Sequence, residues 1–191
     1  MIKSKADYKL YLSIDKKANG VTSFYSELRN ELYRYVKLMR KCEFYNNCSK
    51  NIFAIMWLKY RFKKVSERYG FSIGINTFGP GLKIIHKGTI LVNPKAKIGA
   101  NCRLNADVVI GTQFATNDKC PTIGNNCFIA PGAKIIGQLK IGNDCLIGAN
   151  AVVTKDVPDN VTVGSVPFRI IKESGTRGKF AYYPVLKENQ K

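Results

Sequence analysis

Acidic residues are scarce: 13 Asp and Glu stand against 31 Lys and Arg in 191 residues, a formal net charge of +18. Such a deficit implies anionic partners, whether a phosphorylated cofactor, an acidic glycan, a lipid-diphosphate carrier at a membrane surface or nucleic acid. Long apolar runs are missing too. The longest, Ile52 to Leu58, falls far short of the ~20 residues a membrane span needs. No apolar core follows the charged start Met1-Ile2-Lys3-Ser4-Lys5, so no signal peptide is expected. Six cysteines occur without one C-x-x-C spacing, which sets aside a cysteine-built metal site. Free thiols and the missing leader predict a cytoplasmic protein without disulfides, and the charge extends that setting to the inner face of the membrane. Histidine occurs once, at His86.

What the chain does have is a period. Between Val92 and Val153 an aliphatic residue recurs at every sixth position with one interruption: Val92, Ile98, Leu104, Ile110, then Ile123, Ile129, Ile135, Ile141, Ile147 and Val153. Gly follows several of them, as in Ile98-Gly99 and Ile141-Gly142. A period of six fits neither a helix nor simple strand alternation. It fits a chain wound as a triangular prism, one flat side and one corner per hexapeptide, with the aliphatic residue inside and Gly easing the corner. Repeats of this kind read as a parallel β-helix, each coil buried against its neighbours. Two residues before each aliphatic position stand Ala96, Cys102, Val108, Cys127, Ala133, Leu139, Cys145 and Ala151. Mostly small side chains mixed with larger ones suit a narrow interior, and Cys102, Cys127 and Cys145 should serve there as small hydrophobes.

Residues 1–70 read as an α-helical segment, 71–172 as the β-helix and 173–191 as a C-terminal tail that is flexible or wraps the body. Ser4-x-x-Asp7 resembles a capping box. Leu28, Leu32, Tyr35, Val36 and Met39 predict one face of a longer helix, and Ile52, Ile55, Trp57, Phe62 and Val65 a second. Arg34, Lys37, Arg40, Lys41, Lys50, Lys59, Arg61, Lys63, Lys64 and Arg68 surround them, opposed by Glu43 and Glu67. They read as a solvated basic face or, more sharply, as a surface for anionic lipid or acidic polymer. Tyr69-Gly70 should close the helices, and the stretch Phe71 to Lys83 should lead into the first coil. The step from Ile110 to Ile123 breaks the hexad by one residue, so 112–121 should leave the prism as a loop, where sites are commonly assembled.

His86 lies six before Val92, an inward hexad position. A histidine lodged there by chance competes with general-base chemistry, for which a near-neutral imidazole suits a hydroxyl acceptor. A single histidine disfavours a β-helix zinc hydratase, which binds its metal through three; no metal is expected.

The stretch Gly79-Pro80-Gly81-Leu82-Lys83-Ile84-Ile85-His86-Lys87-Gly88-Thr89-Ile90, then Lys97-Ile98-Gly99-Ala100-Asn101-Cys102, resembles the left-handed β-helix acyltransferases of the serine acetyltransferase type. More closely, it is similar to capsular or exopolysaccharide O-acetyltransferases. Pro121-Thr122-Ile123-Gly124, the segments 129–135 and 147–153, and Lys155-Asp156-Val157-Pro158 continue the likeness, which covers roughly Gly74 to Lys172. The resemblance implies a mainly β fold, the left-handed parallel β-helix, assembled as a homotrimer with acetyl-CoA as co-substrate between adjacent prisms. It implies His86 as the general base, Ala130 and Ala149 as backbone partners of the pantetheine arm, and Lys155, Arg169 and Lys172 near the nucleotide phosphates. Lys119 would reach the acceptor in a neighbouring subunit's site. Departures from serine acetyltransferases are Ile85 where they carry Asp, Lys119-Cys120 where they carry Arg-His, and Phe71 in place of the Asp that orients the base. The orienting group is then a backbone carbonyl, Asn76 or another residue. Phe168 replaces the Ala of their Gly-Val-Pro-Ala segment.

The expected function is O-acetylation of a sugar hydroxyl of a surface polysaccharide or its precursor. The alternatives are serine O-acetylation and a non-catalytic basic scaffold for membrane or acidic polymer. Nucleic acid, resting on charge alone, is disfavoured.

Overall fold

The computed structural model describes residues 1–113, 119–164 and 169–172. Four helices come first: α1 (Lys5–Ala18), α2 (Phe24–Arg29), α3 (Glu31–Cys48) and α4 (Ile52–Tyr69). Each starts at a side chain that accepts a backbone N–H, from Ser4, Ser23, Asn30 and Asn51, which satisfies an otherwise orphaned donor. Gly70, at φ 76°, caps α4 in the left-handed conformation.

Strands follow immediately, so the first coil begins at Phe71 rather than after Lys83. Numbered in chain order, β1 (Phe71–Ile73), β3 (Ile90–Val92), β6 (Val108–Gly111), β9 (Lys134–Ile136) and β12 (Val152–Val153) stack in parallel as one face of a prism. A second face stacks β4 (Lys97–Ile98), β7 (Thr122–Ile123) and β10 (Lys140–Ile141). The third stacks β2 (Lys83–Ile84), β5 (Arg103–Leu104), β8 (Phe128–Ile129), β11 (Leu146–Ile147) and β13 (Thr162–Gly164), with β14 (Arg169–Lys172) antiparallel at its edge. The inward residues form vertical columns, such as Val92–Ile110–Ile135–Val153 on the first face. All are buried, as are the eight residues two places earlier. Each buried aliphatic side chain contributes roughly 1.5–3 kcal/mol.

Further expectations from spacing fail. Ile98 and Ile123 are direct neighbours 25 residues apart, where Ile123 and Ile141 are 18 apart. The excursion therefore inserts seven residues, one full step of six being hidden in the count. Its centre, 114–118, lies outside the described residues, as do the tail 173–191 and the segment 165–168. The long helix expected from Leu28 to Met39 is two helices, because Asn30 both ends α2 and caps α3; Leu28 is exposed. On α4 the buried positions are Leu58, Phe62 and Ser66, whereas Ile52 and Trp57 face solvent.

Arg40 does not belong to the basic surface at all. Its side chain is fully buried, paired with Asp15 at 2.9 Å and Glu43 at 3.0 Å. It also donates to the carbonyls of Phe78 at 2.9 Å and Gly79 at 2.6 Å. Asp15 in turn accepts from the backbone N–H of Gly81 at 2.7 Å and Leu82 at 3.0 Å. These bonds clamp α1 and α3 onto the segment 78–82 that leads through β2 to His86.

Candidate active site

His86 sits in the corner that joins the third face to the first. Ile84 and Leu104 are stacked neighbours 20 residues apart, against 18 for Ile129 and Ile147. Eight residues therefore separate Ile84 from Val92, where six are usual. The hexad position expected for His86 is taken by Ile84, and the two additional residues turn the imidazole outward. It is exposed, and among the described residues it has no hydrogen-bond partner. The corner itself is firmly held: Ile85 N–H donates to Leu104 O at 2.9 Å and Gly88 N–H to Tyr69 O at 3.3 Å.

The same prism edge continues through Asn105-Ala106, Ala130-Pro131 and Ala149-Asn150 on successive coils. Asn105 N–H bonds Ile129 O at 3.2 Å, Gly132 N–H bonds Ala106 O at 3.0 Å and Asn150 N–H bonds Pro131 O at 2.9 Å. The fold thus aligns His86, Ala130 and Ala149 along one edge. Their backbones differ in what they can offer. Ala130 is buried, its N–H spent on Ile147 O at 2.9 Å and its C=O accepting from Ala133 at 3.3 Å. Ala149 is exposed, and among the described residues its backbone makes no coil-to-coil bond. An extended chain bearing amides would fit this edge, with Ala149 supplying donor and acceptor.

Lys119, Lys155 and Asn76 fall instead on the adjoining edge, between the first and second faces. Lys119 and Lys155 are exposed. The Asn76 amide is engaged by Asn47 in a reciprocal pair at 2.8 and 3.1 Å, and its N–H by Glu43 at 2.7 Å. It fastens α3 to the first coil and does not touch His86. Arg169 and Lys172 lie on β14, which closes the third face at the end far from His86.

One feature of the site was missed from sequence. Beside the His86 corner is an open cleft of about 590 Å³, lined among others by Tyr25, Arg29, Glu31 and Lys87. Glu31 and Lys87 form an ion pair there, and the hydrogen bond and charge of Lys87 hold the Glu31 carboxyl below its usual range. Lys87 also lies 4.9 Å from the centre of the Tyr69 ring. No spacing signal could have paired residues 56 positions apart. The interior cysteines Cys102, Cys127 and Cys145 are buried away from this edge. Cys127 and Cys145 are held in their protonated form, by the neighbouring thiol of the stack (Cys102 and Cys127 respectively) and by burial, and they donate to the carbonyls of Gly142 at 3.2 Å and Pro158 at 3.1 Å.

Residues 120–155 match the bacterial transferase hexapeptide family (six repeats). A serine acetyltransferase of Synechococcus elongatus is 36% identical over 100 residues, covering 52% of this chain and 41% of that protein. One from Staphylococcus aureus is 37% identical over 100 residues, covering 52% of this chain and 47% of its own length. The solved structure of a Brucella abortus serine acetyltransferase in complex with coenzyme A superposes with a TM-score of 0.71 at 26% identity, covering 90% of this chain and 70% of that one. The chain spans less than half the length of these two curated relatives. Its fold is the left-handed parallel β-helix, with an α-helical segment in front.

Proposed function

We propose that this protein is an acetyl-CoA-dependent O-acetyltransferase in which His86 is the general base. The observation that carries the reading is the alignment of an outward-turned imidazole with the open Ala149 corner along one prism edge. Acetyl-CoA would supply an activated thioester, its pantetheine arm lying along that edge, with Arg169 and Lys172 drawing in its phosphates and Lys155, on the adjoining edge, adding its charge from a neighbouring prism. His86 would take the proton from the acceptor hydroxyl as that oxygen attacks, which sharpens a weak nucleophile. The edge holds both partners in place, which supplies the remaining gain through proximity. An assembly of three prisms would set Lys119 of one subunit near the site of the next.

For the acceptor, the serine hydroxyl is the better-supported reading, since the curated relatives cited are serine acetyltransferases. The cleft beside the corner suits an amino acid that exchanges with the Glu31–Lys87 ion pair, its ammonium taking the Glu31 carboxylate and its carboxylate taking Lys87 and Arg29. One observation favours a sugar hydroxyl of a surface polysaccharide precursor instead. Half-buried Ile85 stands next to His86, so the adjoining position carries no charge for a zwitterion.

The test is chromatographic coenzyme A release from acetyl-CoA, with L-serine compared with nucleotide sugars and oligosaccharides. Serine-dependent release supports the first acceptor and sugar-dependent release the second. Absence of any transfer across the panel would leave only a binding scaffold.

A further inference from the structure

We propose that α4 docks the protein on an anionic membrane surface through an apolar stripe on its first turns. Ile52, Phe53, Met56, Trp57 and Tyr60 are all exposed, with Phe53 82% and Trp57 54% open to solvent. At 100° per residue they share one arc of the helix, about 140° wide. The opposite side, Leu58, Phe62 and Ser66, is buried against the rest of the protein. Single exposed apolar residues are ordinary, but a contiguous stripe of five marks an interaction surface.

The charges around the stripe select its occupant. Lys50, Lys59, Arg61, Lys63 and Lys64 border it, with Glu67 the one acidic residue of α4. Arg61 lies 4.8 Å from the centre of the Trp57 ring and Lys64 5.9 Å from that of Tyr60. A second copy of this chain would set these cations against their own kind in a molecule of net charge +18. An anionic bilayer neutralises them and takes the apolar side chains into the boundary between headgroups and acyl chains. No described helix is long and apolar enough to cross a membrane, so α4 would lie along the surface. Its other end bears on the His86 corner through Tyr69 and Lys87, at most about 27 Å away along an 18-residue helix. Docking would hold that corner close to the membrane, whatever the acceptor.

Trp57 is the only tryptophan in the chain and reports on the stripe directly. With vesicles of equal phosphatidylglycerol and phosphatidylcholine, its emission should move to the blue and be quenched by acyl-brominated lipid, and the protein should co-sediment. Vesicles of phosphatidylcholine alone should do neither. The double variant Phe53→Ser/Met56→Ser keeps the net charge, and both residues are exposed; its thermal midpoint verifies folding. It should lose at least tenfold in partitioning onto the anionic vesicles. Equal partitioning of the double variant, or co-sedimentation without a Trp57 shift, would mean charge alone and overturn the proposal. Indifference to vesicles, with self-association that the variant abolishes, would assign the face to a second copy and overturn it equally.

Discussion

Ile84 stacks on Leu104 from 20 residues away, where the ordinary coil-to-coil separation is the 18 of Ile129 and Ile147. The two additional residues lengthen a single corner, 85–89, and that corner carries the chain's only histidine. The lengthened corner takes the imidazole out of the packed interior and leaves it on an edge.

The clamp behind that corner should be essential to the fold. Arg40→Met would strand the buried carboxylates of Asp15 and Glu43 without their cation, a defect expected to cost about 3–5 kcal/mol. Urea denaturation should show it, while Lys63→Met on the exposed face of α4 should stay within ~0.5 kcal/mol of wild type.

Glycine corners should differ sharply in tolerance. A Cβ at Gly124 would approach the carbonyl oxygen of Gly142 to 2.6 Å, whereas one at Gly111 meets no atom of the described residues within 4 Å. Gly124→Ala should destabilise by about 1–3 kcal/mol through forced backbone shifts. Gly111→Ala should be neutral or slightly stabilising, and thermal unfolding of the pair decides it.

The interior thiols give a pH dependence with a definite sign. Cys127 and Cys145 are raised in the folded state, while in the unfolded chain a thiol ionises near 8.5. Below that pH both states hold the proton and the full contribution is present. As pH rises past about 8.5 the unfolded chain binds fewer protons than the folded one, so stability falls. Urea midpoints at pH 7 and 9.5 should diverge for wild type and diverge less for Cys127→Ala/Cys145→Ala. Under native conditions a thiol reagent should label exposed Cys48 quickly and leave Cys102, Cys127 and Cys145 untouched.

The prism was legible because an inward column forces a periodic aliphatic residue, and Val92 to Val153 displays it openly. Insertions were harder to read, since spacing counts residues and not which strands pair. Thirteen residues from Ile110 to Ile123 looked like a slip of one and hold an excursion of seven. Gly was expected to ease the corners, and it does so where a Cβ at Gly99, Gly124 or Gly142 would clash with the next coil, while Asn101, Asn126, Asp144 and Asn160 take the left-handed positions at φ 57–59°. Their side chains tolerate that conformation, and the Asn or Asp recurring at these positions, as in Asn125-Asn126, Asn143-Asp144 and Asp159-Asn160, was the available signal. Helix faces misled because apolar residues were assumed to be buried. On α4 Ser66 is inside, bonded to Tyr35 at 3.1 Å, while Phe53 and Trp57 are outside. Arg40 was counted as surface for the converse reason, although it lies one turn from Val36 and beside Met39 on the buried side of α3.

The most direct measurement is the rate of coenzyme A release by wild type and His86→Ala, using the acceptor that supports turnover, alongside thermal shift with coenzyme A. Loss of about two to four orders of magnitude, with the coenzyme still raising the melting temperature of the variant, is the expected result. Transfer at near wild-type rate without the imidazole would contradict its role as the base.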